Sequence, residues 1–474
     1  MVQLRDVEVR DLSLSVFGPL IGTDRLARLD SAAATSRVLL DGRVVWNVNS
    51  TASGGGVAEM LRTLVGYIRG AGIDARWVVI EGDPHFFAIT KRVHNRIHGL
   101  PGDAGALGPA ESAHYVEVSA ANASALLERL HGNDIVLLHD PQTAGMAPWL
   151  HDAGAKVIWR SHIGADTTNE WTDQTWAFLR PFLDACDAFV FTRQPYVPAW
   201  MPADMVSIIP PSIDPFSPKN QAITDTDVPY FLARIGLTSG PVDRAPTYTR
   251  TDGTSGTVDH QATIVCEGGA LETTANMVLQ VSRWDRLKDM SGVLSGFASH
   301  LAGRVDAHLV LAGPAVEGVV DDPEGAVVLG ECIEAWEALP TRQRRRITLL
   351  SLPMNDIEEN AIMVNALQRS ATVIVQKSLA EGFGLTVAEG MWKGKPLVAS
   401  RVGGIIDQVT PGTGILLDDP TDIDAFGAVL ASLLERPDEI RRLGVNAHQR
   451  VLDAFVGDQH LLQYAALIER LVLA

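Results

Sequence analysis

Short apolar runs rich in β-branched residues alternate with helical-period segments almost from end to end of the chain, and this alternation constrains the fold more than any other feature. In the first half the runs are "RVVWNVN" (43–49), "ARWVVIE" (75–81), "DIVLLHD" (134–140), "KVIWRSH" (156–162) and "DAFVFTR" (187–193). Between them lie helical stripes such as 57–70, where Val57, Met60, Leu61, Leu64, Val65 and Ile68 recur at helical spacing. A change of period from 2 to 3.6 and back is the sequence form of repeated βαβ units around a parallel sheet. The proline-dense segment 206–220 interrupts the pattern, since proline removes backbone donors and biases the preceding residue away from helix. The alternation restarts with "NMVLQVS" (276–282), "AHLVLAG" (307–313), "RITLLSL" (346–352), "ATVIVQK" (371–377) and "KPLVAS" (395–400). The expectation is an α/β protein of two doubly wound domains, 1–215 and 216–455, with an inter-domain cleft. The stretch 421–474 reads as three helices, the last of which (about 456–474) crosses back onto the first domain. Segment 238–261, poor in apolar residues and rich in turn formers, reads as a flexible surface insertion.

Charge narrows the function. The net charge of -18 argues against a nucleic-acid or anionic-membrane partner, both of which need a concentrated basic footprint. The basic cluster Arg342, Arg344, Arg345 and Arg346 reads as a solvated helix end. Three cysteines, Cys186, Cys266 and Cys332, have neither metal-ligand spacing nor a disulfide framework, which suits a reduced, cytoplasmic setting. The first twenty residues carry scattered charges and do not read as a signal peptide, and no apolar window reaches bilayer-spanning length.

Ligands of doubly wound sheets bind beyond the carboxyl ends of the strands, so the loops there are the candidates. The first holds Gly54, Gly55 and Gly56 between a strand and a helix, where backbone N–H groups and the helix dipole suit an anion; the alternative is a plain turn. It is neither a Walker loop nor a dinucleotide fingerprint. In "SRWDRLKD" (282–289), Arg283 and Lys288 follow a strand at once and could neutralise a phosphate, or else Arg283 could pair with Asp285 or Asp289 on a solvated loop. In "EGFGLTVAEG" (381–390), Glu381 precedes a glycine turn and Glu389 falls one turn into a helix that ends near Gly394; both carboxylates suit sugar or ribose hydroxyls. The pairs Asp321–Asp322 and Asp418–Asp419 lack the context of a nucleotide-bound metal, and no metal is expected.

These stretches, with "VGGII" downstream, resemble the retaining glycosyltransferases of the GT-B type, built from two Rossmann-like domains, in which two glutamates frame seven residues. Within that group the chain is similar to the trehalose synthases of the glycosyltransferring type, through "NVNSTASGGGVAEML", "LLHDPQTAGM", "WRSHIG" and "EGFGLTVAEGMWKGKPLVASRVGGI" in order along the chain. The resemblance implies an N-terminal acceptor domain and a C-terminal nucleotide-sugar donor domain. It implies that Arg283 and Lys288 bind the donor diphosphate, that Glu381 holds the donor sugar, and that Gly382, Phe383, Gly384 and Leu385 lie along it. Glu389 would bind the ribose, and Gly55 and Gly56 the phosphates. His162 would face the reacting sugar, and Asp140 and Gln142 the acceptor glucose.

The implied reaction moves glucose from a nucleoside diphosphate glucose to glucose, giving α,α-trehalose, with no cofactor required beyond the donor substrate. Small sugars and sugar nucleotides are the expected partners, and a homodimer is left open. No carboxylate can be placed under the anomeric carbon, so the resemblance favours same-face transfer over a double displacement. Three alternatives stay open: a trehalose phosphorylase, a related enzyme with another acceptor, or a regulatory module that binds sugar nucleotides without turnover.

Overall fold

The computed structural model describes residues 3–52, 56–316 and 323–473. The chain divides into two compact units, one running to Ser212 and completed by the segment from Val456, the other Ile213–Phe455.

The first unit holds a seven-stranded sheet in the order Arg5–Asp6, Ala75–Val79, Val45–Asn49, Ile135–His139, Lys156–Ser161, Ala188–Phe191, Val206–Ile208. Only the edge strand Arg5–Asp6 is antiparallel. Because the strands are covered on both faces they are apolar nearly throughout, and period 2 decides which residue faces which layer. Trp46, Val48, Val136, Leu138, Val157 and Trp159 pack with Phe86, Tyr115 and Leu179 of the helices Pro84–Ile97, Pro109–Leu127 and Glu170–Leu183. Val45, Ile135, Leu137, Ile158 and Val190 face the other way, onto Leu61 and Leu64 of helix Gly56–Gly70 and onto Tyr464, Leu467 and Ile468 of the last helix, Gly457–Leu473.

The second unit repeats the plan in the order Thr263–Val265, Ile347–Leu352, His308–Pro314, Met277–Val281, Val373–Gln376, Leu397–Ser400, Ile415–Leu417, with Thr263–Val265 antiparallel at one edge. In both sheets the chain winds outward to one side and then to the other. The reversal lies between Val45–Asn49 and Ile135–His139 in the first sheet, and between Met277–Val281 and Val373–Gln376 in the second. Side chains beyond the carboxyl ends of these four strands occupy the switch points where such sheets bind ligands.

Segment 238–261, expected from its composition to be a flexible surface insertion, has regular structure of its own. It carries an antiparallel hairpin, Thr247–Thr249 with Ser255–Thr257. Polar anchors fix it where apolar burial is scarce. Arg250 pairs with Asp356 at 2.7 Å, the Thr251 N–H donates to Glu358 at 2.9 Å, and Glu359 accepts from the N–H groups of Asp259 and His260. Those three acids sit at the start of helix Ile357–Ser370, so the hairpin is tied to a helix N-terminus.

Candidate active site

The second switch point is built from strand-end polar residues. Gln280 and Gln376 are buried near the ends of two adjacent central strands. Gln280 Nε2 donates to the Lys288 carbonyl at 2.7 Å and its Oε1 accepts from the Lys377 N–H at 3.2 Å. Gln376 donates to Ser282 and Ser378 and accepts from Thr386 at 3.0 Å. Two side-chain amides therefore lace the loop after one strand to the loop after the other. Trp284, fully buried with its Nε1 on the Pro314 carbonyl at 2.9 Å, anchors the first loop. Asp285 caps the short 3-10 turn Arg286–Lys288 by accepting from the Leu287 N–H at 2.7 Å.

That turn delivers Lys288 Nζ to Glu381 Oε2 at 2.7 Å, with both side chains largely buried. Ser378 Oγ donates to the same carboxylate oxygen at 3.4 Å. A second pair follows at neighbouring chain positions: Lys377, buried at the end of its strand, bonds Asp289. Asp289 has a left-handed backbone (φ 48°) and also caps helix Met290–His300 through the Gly292 N–H at 3.1 Å. Arg283 behaves differently. Its side chain is 63% exposed and pairs with Asp285 at 3.0 Å, the partner the solvated-loop alternative allows.

Gly384 takes φ 84°, a left-handed conformation that costs glycine little, and starts helix Leu385–Trp392. The turn is held from behind. Gly404 N–H donates to the Gly382 carbonyl at 3.0 Å, and Gln408 Nε2 reaches the Phe383 carbonyl at 2.5 Å. A Cβ on Gly404 would stand 2.6 Å from Phe383 Cα, so the second glycine of "VGGII" is there for close approach. Phe383 buries its ring edge-on against Phe455 at 5.6 Å. Its side chain belongs to the core, and only its main chain faces the turn. Gly382, Gly384 and Leu385 likewise offer main chain, including first-turn N–H groups that have no intrahelical acceptor.

Glu389 is buried one turn into this helix, with Oε1 3.7 Å from Lys219 Nζ. Among the described residues its Oε2 is buried without a hydrogen-bond partner. Lys393, one turn on, donates to Asn220 Oδ1 at 2.8 Å, and burial drives its pKa well down while Glu389 pulls it back up.

At the first switch point Asp140 sits in an unusual backbone conformation, φ 62° and ψ 176°, sparsely populated for any residue with a Cβ. Its Oδ1 accepts from the His162 N–H at 2.8 Å. Burial pushes its pKa up to about 7, opposed by that hydrogen bond and by the charge of Arg160. Gln142 lies half-buried in the helical turn Pro141–Ala144, and among the described residues its amide makes no hydrogen bond. His162, expected to face the reacting sugar, has protein partners at both ring nitrogens. Nδ1 takes a hydrogen bond from Arg160 Nε at 3.1 Å and Nε2 meets His139 Nδ1 at 3.0 Å, so both ring nitrogens are committed inside the protein. Gly56 opens its helix in an exposed position. Gly54, Gly55, Asp321 and Asp322 lie outside the described residues.

Several residues of these sites escaped the sequence reading: Lys377 and Gln280 at the second switch point (where Asp289 enters that reading only as a partner of Arg283), Lys219 and Lys393 around Glu389, and Arg160 and His139 beside His162. A signal existed for most of them. Gln280, Lys377, His139 and Arg160 are polar residues in or at the end of otherwise apolar parallel strands, where packing against the helices calls for apolar side chains, and Lys393 stands at i+4 from Glu389.

Among the described residues no helix is long and apolar enough to cross a membrane. Residues 47–198 match the family described as trehalose synthase, N-terminal domain, and residues 357–450 match glycosyl transferases group 1. The chain is similar to the trehalose synthase of Rubrobacter xylanophilus, 35% identical over 88% of each chain. It is also similar to the trehalose synthase of Pyrococcus horikoshii, 31% identical over 99% of each. Among solved structures it resembles one described as trehalose-6-phosphate from E. coli bound with UDP-2-fluoro glucose, with a TM-score of 0.67, 14% identity, and coverage of 91% of this chain and 99% of that one. Two parallel-sheet units of this kind, with polar residues gathered at their switch points, define a glycosyltransferase of the GT-B fold. More narrowly, the chain belongs to the trehalose synthase family, and its chemistry is trehalose-related glycosyl transfer.

Proposed function

We propose that this protein is a retaining glucosyltransferase that moves glucose from a nucleoside diphosphate glucose to free glucose, forming α,α-trehalose. The observation that carries the reading is the contact of Lys288 with Glu381 at the second switch point, because a nucleotide sugar needs a cation and a hydroxyl acceptor side by side. In this reading Lys288 turns from Glu381 to the diphosphate. Glu381, released, accepts hydrogen bonds from the donor glucose. Arg283, exposed and mobile about its long stem, adds charge from the same loop. The open oxygen of Glu389 suits a ribose hydroxyl, and the first-turn N–H groups beyond Gly384 suit phosphate oxygens.

Bond cleavage leaves the electron pair on the departing diphosphate, and Lys288 stabilises that charge as it develops. The acceptor hydroxyl attacks from the face the diphosphate leaves, giving up its proton to a phosphate oxygen, which preserves the anomeric configuration. Asp140 and Gln142 are assigned to the acceptor glucose. The E. coli protein that this fold resembles is bound with UDP-2-fluoro glucose, which supports a nucleotide donor here.

The test is incubation of the full chain with glucose and ADP-, UDP- or GDP-glucose, with and without phosphate, followed by identification of the product and its linkage. Trehalose from a nucleotide donor without phosphate supports the reading. Trehalose consumption that requires phosphate replaces it with phosphorolysis, a β-linked product removes retention, and no reaction in any mixture favours a binding module.

A further inference from the structure

A buried relay runs through the first unit beside Asp140. Arg160 is fully buried, and among the described residues no carboxylate takes its charge. Its Nε donates to His162 Nδ1 at 3.1 Å, its Nη1 to the Tyr464 hydroxyl, and its Nη2 to the Ile209 carbonyl at 3.2 Å. An arginine N–H cannot accept a hydrogen bond, so His162 Nδ1 is an acceptor and the neutral ring carries its proton on Nε2. That proton goes to His139 Nδ1 at 3.0 Å. His139 must then carry its own proton on Nε2, which faces Asn47 Oδ1 at 3.2 Å. One guanidinium therefore sets the tautomer of two imidazoles and the orientation of one amide. The two rings lie nearly parallel, 5.3 Å apart.

The residues come from three adjacent strands, Val45–Asn49, Ile135–His139 and Lys156–Ser161, from Ile209 just past Val206–Ile208, and from the last helix. The charged or titratable groups that face Arg160 are His139, His162, Asp140, His460 and Tyr464. Burial, with the charge of Arg160 adding to it, holds all three histidines neutral. A buried cation that forms no ion pair among the described residues is costly, and here it is retained within electrostatic reach of a strained aspartate that binds the main chain of His162.

We propose that Arg160, His139 and Tyr464 are positioning residues: they hold the His162 ring in place in its Nε2–H tautomer and thereby fix the position of the residue whose main-chain N–H meets Asp140 at the strand end, and the imidazole itself serves as neither acid nor base. The last helix thereby becomes part of the site, since it supplies Tyr464. The purpose of holding Asp140 rests on the proposed glucosyl transfer; the relay itself does not.

The two parts are separated by measuring each directly. Nitrogen-15 histidine labelling of the full chain reads tautomers without substrate. The expected result is neutral Nε2–H rings for His139 and His162 from about pH 5 to pH 8. In Arg160→Met, His162 Nδ1 loses its donor, and the ring should no longer be held as the single Nε2–H tautomer. Tyr464→Phe keeps the helix and frees one arm of the guanidinium. It should raise the acceptor KM by about tenfold, roughly the worth of one hydrogen bond, with a smaller change in kcat. The acid limb of its kcat/KM profile should move, and Arg160→Lys, which keeps the charge, should retain more activity than Arg160→Met. A His162 ring that titrates or sits as Nδ1–H in the wild type overturns the relay. So does a Tyr464→Phe protein with a lowered Tm and an unchanged KM and pH profile. The stated tautomers in a protein that transfers no sugar uphold the relay and overturn the proposed function.

Discussion

Lys288 Nζ and Glu381 Oε2 are 2.7 Å apart across 93 positions of sequence, each largely withdrawn from solvent. Each is placed by its own strand, and the two strands are neighbours in the sheet. Lysine suits the proposed exchange because its single compact charge on a flexible stem can pass from carboxylate to phosphate without losing a bidentate fit.

Lys288→Ala is therefore expected to lower kcat by about a hundredfold or more, the usual loss when one stabilising donor is removed from a developing oxyanion. Folding should survive, since Trp284, Gln280 and the Asp285 cap hold the loop without the lysine. Steady-state kinetics with far-UV circular dichroism checks both halves. Near-normal turnover would remove Lys288 from the mechanism.

Gly404 supports the glutamate turn from behind, against Gly382 and Phe383. Gly404→Ala should force Phe383 and Gly382 away from it, because the added methyl would lie 2.6 Å from Phe383 Cα and 2.9 Å from the Gly382 carbonyl. Overpacking of this kind costs about 1–3 kcal/mol. The expected signature is a lower denaturation midpoint together with weakened nucleotide binding in calorimetry. A variant that loses stability but binds nucleotide unchanged would show that the turn does not carry the donor.

Both sheets were legible because fully buried parallel strands leave an unbroken apolar record, interrupted at defined intervals by helical stripes. The donor-side motif was legible because glycine turns and strand-end charges are adjacent in sequence. Lys377–Asp289 and the Arg160 relay were not, because each joins residues from different strands and only the sheet order brings them together. His162 illustrates the limit: its place at a strand end was readable, but the direction in which its nitrogens are spent depends on Arg160 and His139. The 247–257 hairpin was missed for another reason, since composition measures apolar burial and this element is fixed by carboxylates.

Glu359 is the centre of that attachment, a buried carboxylate accepting from the N–H groups of Asp259 and His260 and from His260 Nδ1 at 2.7 Å. Glu359→Ala should free the hairpin and speed amide exchange over 247–260 by about tenfold or more, consistent with the loss of a charged hydrogen-bond acceptor. The ion pair raises the pKa of His260. Its contribution is thus present below the ordinary histidine value and is lost as pH rises through the raised one, so hairpin protection in the wild type should weaken toward alkaline pH. Exchange in the variant that is equally slow and equally pH-dependent would assign the anchoring elsewhere.

Asp140 gives the sharpest dependence on pH. Its folded pKa of about 7 stands above the ordinary aspartate value of about 3.9. Between those values the folded chain keeps a proton that the unfolded chain has lost, so stability falls as pH rises through this range, and the full penalty applies above it. His139 works in the opposite sense: burial lowers its pKa to about 3, so the stability it contributes is lost as pH falls below about 6.5. Asp140→Asn keeps a carbonyl oxygen for the His162 N–H and tolerates positive φ as aspartate does, and so isolates the charge. It should stabilise the protein by roughly 2–4 kcal/mol at pH 8 and by little at pH 4, in urea titrations across that range. Transfer should fall at the same time, because in the proposed reaction Asp140 holds the acceptor glucose, and a charge kept at this cost then serves function rather than folding. Parallel stability profiles for the two proteins would mean that Asp140 ionises at an ordinary pH and that its backbone strain serves packing alone.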